Sequence, residues 1–239
     1  ALPISAWFSF HHPERKLGGW FYNMFRPNIG TVAGGAVNGA ITGHAQLDDL
    51  PVSLAADILS EGDTRALNGL RLAVGPNTLA GDMARTGTQP ITGAVALRAP
   101  DIAPLAALGL VEATGAIEAD LTLGPAAVGQ GVTLVGKGQD IVVGANRITR
   151  LAVDATVADA LGLPMVNGGL QGSDMALGGV EIRALDAQAR QLDQDRMTFT
   201  ATSQLKIGTL ADLSGSVQRL NPGFAVTLDQ LSLDRKSVV

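Results

Sequence analysis

The 239-residue sequence contains no cysteine. Disulfide staples and thiolate metal sites are thereby excluded. Aromatic residues are scarce, at 4%, so the apolar mass is aliphatic and small. Charged residues make up 16%, against roughly 25% in soluble domains, which leaves few to cover an outer surface. The charge that is present leans acidic, with 17 Lys+Arg against 22 Asp+Glu and a net −5. Without a basic stripe the chain suits no phosphate backbone, and nucleic acid is not an expected partner. No run of about 18 apolar residues reads as a membrane-spanning helix, and no signal peptide is visible.

Chemistry-bearing motifs are equally sparse. Of the three histidines, His11 and His12 lie beside an aromatic end segment and His44 falls on the polar side of a strand pattern. There is no G-x-S-x-G elbow, no G-x-G-x-x-G and no P-loop. Asp193-Gln194-Asp195 is the one close carboxylate pair, and a hairpin turn accounts for it better than a cation site. The sequence therefore gives no catalytic residue, no metal ligand and no cofactor to expect, and an enzyme is the least favoured reading.

Against those absences stand 30 glycines and 46% hydrophobic residues, arranged with a period of two. In NGAITGHAQL (38–47), Ile41, Gly43, Ala45 and Leu47 share one parity; Thr42, His44 and Gln46 take the other, as in a strand with one dry face. The opening Asn-Gly reads as a turn. TGAVAL (92–97), TGAIEADLTL (114–123) and NGGLQGSDMAL (167–177) begin alike. Gly39 and Gly93 are 54 apart, Gly115 and Gly168 are 53 apart, and Gly93 and Gly115 only 22 apart, so the repeat is loose rather than solenoidal. VGPNTL (74–79) and VGANRI (143–148) read as Gly-x-Asn turns between strands. Further alternating runs give roughly a dozen strands. One-sided alternation favours antiparallel sheet, and glycine and alanine on the dry face suit a strongly bent one. The candidate lining of that dry face is Ile41, Ala45, Leu47, Val52, Leu54, Ile58, Leu79, Val95, Leu97, Ile117, Leu121, Leu123, Leu151, Val153, Val157 and Phe199. DIAPLAALG (101–109) breaks the pattern; Asp101 caps a turn or two of helix that Gly109 ends. VADALGLP (157–164) reads as a second interruption.

Seven aromatics fall in the first 25 residues, from Trp7 to Phe25. A helix from Pro13 to about Arg26 would place Leu17, Phe21 and Met24–Phe25 on one face. Residues 1–5 and 234–239 read as translated sequencing adapter, because the reverse complement of GCT-CTT-CCG-ATC (Ala-Leu-Pro-Ile) encodes Asp-Arg-Lys-Ser. The expected organisation is thus adapter (1–5), an aromatic helical linker or cap (6–31), a repeated β segment (32–233) and adapter (234–239), with the natural protein continuing past both ends.

Order and co-occurrence of short motifs carry a resemblance. Gly75, Asn77, Leu79 and Gly81 give G-x-N-x-L-x-G. An alternating strand follows, then the helical turn of 99–108, then Gly115, Ile117, Ala119 and Leu123. LPMVNGGLQG with VEIRALDAQA resembles a further such unit, and AWFSFHHPERKLGGWFYNMFRPN an aromatic linker. The stretch from Ala6 to Leu233 resembles the TamB family, the AsmA-like inner-membrane subunit of the translocation and assembly module. The resemblance implies an elongated all-β taco, an open hydrophobic groove in the periplasm, belonging to a protein anchored in the inner membrane outside this stretch. It implies phospholipid acyl chains as cargo, transport to the outer membrane, a part in outer-membrane protein assembly and secretion, and a TamA-like barrel as partner through a C-terminal part not present here. The alternatives are a chaperone-like scaffold offering strand edges, and a β-helix or adhesin passenger, against which the irregular spacing counts.

Overall fold

The computed structural model describes residues 24–33, 36–47, 49–108, 110–220 and 223–235. They form one antiparallel sheet of fourteen strands whose spatial order follows the chain. The strands are β1 (Met24–Ala33), β2 (Ala36–Leu47), β3 (Leu50–Glu61), β4 (Thr64–Val74), β5 (Asn77–Thr86), β6 (Thr92–Ala99), β7 (Ala113–Pro125), β8 (Gln130–Val143), β9 (Asn146–Ala158), β10 (Met165–Leu177), β11 (Val180–Gln191), β12 (Arg196–Leu205), β13 (Thr209–Leu220) and β14 (Gly223–Arg235). β1 and β14 do not pair, so the sheet is unclosed. The one helix among the described residues is α1 (Ala103–Leu108), and no helix is long and apolar enough to cross a membrane.

The turns follow from local chemistry. Gly75 and Gly144 take φ of 56° in the two Gly-x-Asn hairpins. Each turn asparagine reaches past the end of the next strand but one in chain order. Asn77 Oδ1 accepts from Asp101 N–H at 3.3 Å and Asn146 Oδ1 from Gly178 N–H at 2.9 Å. Asp193 shapes the β11–β12 hairpin, its Oδ1 accepting from the N–H groups of Asp195 and Arg196 at 2.9 and 2.8 Å. The Asp195 N–H, then the Arg196 guanidinium, hold the carboxyl below the usual carboxylate range. The resulting stability is present above that range and is lost as pH falls through the lowered value. The carboxylate is thus occupied by its own turn. At α1, Ala103 N–H donates to Asp101 Oδ1 at 3.0 Å, the expected cap. The left-handed residue that closes the helix is Leu110, at φ 56°, with Val111 N–H on Ala106 O and Leu110 N–H on Ala107 O, a Schellman pattern. Gly109 lies outside the described residues.

Two expectations need correction. Met24, Phe25 and Arg26, read as the end of an aromatic helix, belong to β1; the remainder of that helix lies outside the described residues. Asn38-Gly39, read as a turn, lies inside β2, and its counterparts Gly93, Gly115 and Gly168 are also intrastrand, at φ 146°, 118° and 149°. They are kinks rather than turns. A Cβ built on Gly93 would stand 2.0 Å from Asp82 O, and one on Gly168 2.2 Å from Asp154 O, so the neighbouring backbone passes where a side chain would sit.

The sheet is curved as well as open. Register shifts interrupt the ladders at Ala55/Asp57, Leu67/Leu70, Thr114/Ala116, Ile182/Ala184 and Ser214/Gly215; each bends its strand and increases the local twist. Asp140 and Asp174, both at φ 50°, resolve the alternation at such bends. The next side chain folds back over the preceding glycine. A Cβ on Gly138 would meet Ile141 Cδ1 at 2.5 Å, and one on Gly172 would meet Met175 Sδ at 2.6 Å. Curvature is also measured by an ion pair: Arg219 of β13 reaches Asp159, in the β9–β10 connection, at 3.3 Å. Three strand spacings separate β10 from β13, about 14 Å along a sheet. Both side chains are largely buried, and the Arg219 guanidinium also donates to Leu163 O.

Candidate functional site

Residues directly paired across an antiparallel ladder share a face, so the registers can be followed across the sheet. One row runs Gly43, Leu54, Leu72, Leu79, Leu97, Ala119 and continues Gly136, Val153, Leu170, Ala187, Ala201, Leu213 and Leu231. The adjacent row runs Leu70, Gly81, Val95, Leu121, Leu134, Ala155, Gly168, Ala189, Phe199, Gly215 and Leu228. Neither holds a polar side chain. Rows on either side add Ile117, Leu151 and Leu185, and Ile58, Leu67, Met83, Leu123, Val132 and Val157. Thirteen strands, β2 to β14, at spacings of about 4.8 Å make this apolar face about 58 Å long along the curve of the sheet.

All sixteen residues expected to line a dry face fall on this one. Leu47 is buried, and the other fifteen are half-buried. The opposite face carries most of the charge. Arg98 meets Asp120 at 2.7 Å and Lys137 meets Glu118 at 3.0 Å, both pairs solvent-exposed and each worth at most about 1 kcal/mol. His44 is exposed on that face. At the hairpin end of β10–β11, Lys206 hydrogen-bonds Glu181 and holds its carboxyl below the usual range.

No second layer covers the apolar face as a whole. Ten hydrophobic side chains are buried among the described residues, few for a domain of this size, and strands touch chiefly their ladder neighbours. The exception is local: Ile102, flanking α1, clusters with Ala99 and Ile141, and Leu105 of α1 packs against that cluster together with Leu97, Ile117 and Leu151. The chain therefore fills its own apolar face between β6 and β9 at one end of the strands. Sequence reading found α1 but not where it packs. It also missed the Gly-x-Asp-apolar pair, Gly138 to Ile141 and Gly172 to Met175, whose signal is a repeat at a spacing of 34.

A trough of about 720 Å³ crosses the polar face between two cross-strand rows, among them Lys137, Gln171 and Asp186 on one side and Arg150, Ser173 and Gln204 on the other. Its polar groups answer one another: Gln171 Nε2 donates to Asp186 Oδ2 at 2.9 Å and Arg150 Nε to Ser173 Oγ at 3.0 Å. It offers no convergent unpaired chemistry. Among the described residues no group of three His, Asp or Glu is placed to hold a metal ion. The feature with capacity to act is the continuous apolar face. No protein-family model, no curated protein and no solved structure matches the chain.

Proposed function

We propose that this chain is a length of open hydrophobic groove, a β-taco of the TamB kind, that carries phospholipid acyl chains across the periplasm as part of an inner-membrane-anchored protein. The supporting observation is the apolar face, whose central row holds no polar side chain through twelve consecutive ladders and which is left largely uncovered. Exposed apolar patches beyond a few hundred Å² mark sites of interaction in soluble proteins, and this one is elongated rather than round. A phospholipid carries roughly 30 methylenes at about 0.8 kcal/mol each, so its tails resist water by on the order of 25 kcal/mol. A featureless aliphatic surface offsets most of that cost at every position along it. It holds no lipid in one place, which is what passage requires. The residues proposed to touch the tails are the sixteen of the apolar face, least so Leu97, Ile117 and Leu151, which pack against the cluster at the flank of α1; no catalytic residue and no cofactor is proposed. Delivery to the outer membrane, a part in outer-membrane protein assembly and a TamA-like barrel partner belong to the same reading.

The test is retention. Purified chain is mixed with vesicles of dioleoyl phospholipid, separated by gel filtration and extracted. The groove reading expects lipid to travel with the protein. Protein free of lipid, yet folded by circular dichroism, would reject it. Capture of polypeptide strands instead of lipid would favour the edge-scaffold alternative.

A further inference from the structure

We propose that Arg65 and Arg85 form a headgroup station at the margin of the apolar face, selective for lipids of net negative charge. The proposal rests on the groove reading above and adds a substrate class to it. In the β3–β4–β5 ladders Ser60 pairs with Arg65 and Arg65 with Arg85. The next row inward is Ile58, Leu67, Met83, Gly93 and Leu123. The two guanidinium-bearing residues therefore stand on the apolar side of the sheet, one pleat repeat of about 7 Å beyond the last aliphatic row.

Like charges directly opposite each other on a sheet are destabilising. Among the described residues neither arginine has a carboxylate within ion-pair distance. Arg65 Nη1 donates to Gly62 O at 2.6 Å and Thr64 O at 2.9 Å. Those carbonyls accept from the guanidinium without neutralising it. Arg219, on the same side of the sheet, is by contrast committed to Asp159. The acidic residues of the adjoining turn are Glu61 and Asp63; Glu61 pairs with Thr64 in the ladder, which turns it to the opposite face. Both arginines are exposed, and the hydrogen bonds of Arg65 engage only its Nη1, which leaves its other donors for a ligand. Cross-strand Cβ atoms lie about 5 Å apart, so two forks can meet on one phosphodiester, which guanidinium matches in geometry as well as charge. An acyl chain on the Leu67–Met83 row places its headgroup at that point.

The experiment uses the same retention assay with phosphatidylglycerol and phosphatidylcholine of identical dioleoyl chains. The unaltered chain should retain phosphatidylglycerol about tenfold better, the scale of a charge-assisted contact. Arg65→Gln/Arg85→Gln should bring it down to the phosphatidylcholine value and leave that value unchanged. Arg65→Lys/Arg85→Lys should keep part of the preference. Equal retention of the two lipids by the unaltered chain, or a preference that survives Arg65→Gln/Arg85→Gln, overturns the headgroup station and leaves the groove standing. Glycerol phosphate competing at the same concentration as phosphatidylglycerol also overturns it, since the site would then serve a free phosphoester. Retention of neither lipid rejects the groove, and the station with it.

Discussion

Gly93→Val is expected to abolish the folded sheet, or to cost at least about 3 kcal/mol of stability where a fold survives. Two independent penalties meet there. The residue sits at φ 146°, where a β-branched side chain is strained. Its Cβ would stand 2.0 Å from Asp82 O and 2.9 Å from Met83 Cα. Both are backbone atoms of β5, so relief requires parting two paired strands rather than turning a side chain. Gly168→Val should behave alike, against Asp154 O at 2.2 Å. Gly124→Val is the control, because a Cβ there meets nothing within 4 Å and needs no unusual φ. Urea midpoints by circular dichroism separate the outcomes. Equal midpoints for Gly93→Val and Gly124→Val would mean that the kinked backbone is not part of the fold.

Leu121→Asp should reduce lipid retention at least about tenfold, while Thr122→Asp leaves it unchanged. Leu121 lies between Val95 and Leu134 in an uninterrupted aliphatic row. A carboxylate there must either lose its hydration beneath an acyl chain, at a cost of several kcal/mol, or keep its water and break the row. Thr122 is its immediate neighbour on the exposed polar face, where another carboxylate changes little. Comparable midpoints for the two variants keep the contrast about binding rather than folding. Loss of retention in both, or in neither, would detach lipid capture from the apolar face.

The period-two pattern was sufficient to place sixteen residues on one face and to make the sheet antiparallel, because hairpin connections in chain order preserve parity from one strand to the next. It failed where the backbone leaves the pleat. Asp140 and Asp174 shift the alternation by one residue, so Ile141 and Met175 return to the apolar side against the count, and only the close approach over Gly138 and Gly172 reveals why. Met24–Arg26 fit a helical spacing and a strand spacing equally well; the ladder with β2, from Met24 opposite His44 onward, decides between them. The Asn-Gly and Thr-Gly pairs carry the composition of a turn, but Gly93, Gly115 and Gly168 answer a neighbouring carbonyl that no local window contains. Arg219 and Asp159 are 60 residues apart in sequence, and their meeting depends on the curl of the three intervening strands, β10 to β12. The packing of α1 on Leu97, Ile117 and Leu151 is invisible for the same reason.

A photocrosslinking scan along β7 addresses the central claim most directly. A photoreactive residue is placed in turn at Ile117, Glu118, Ala119, Asp120, Leu121, Thr122 and Leu123, and lipid adducts are measured by mass spectrometry after irradiation with bound phospholipid. An apolar face that carries acyl chains predicts adducts at 119, 121 and 123, fewer at 117, which packs against the cluster at the flank of α1, and none at 118, 120 and 122. Adducts of equal yield at all seven positions, or confined to the even-numbered ones, would contradict it.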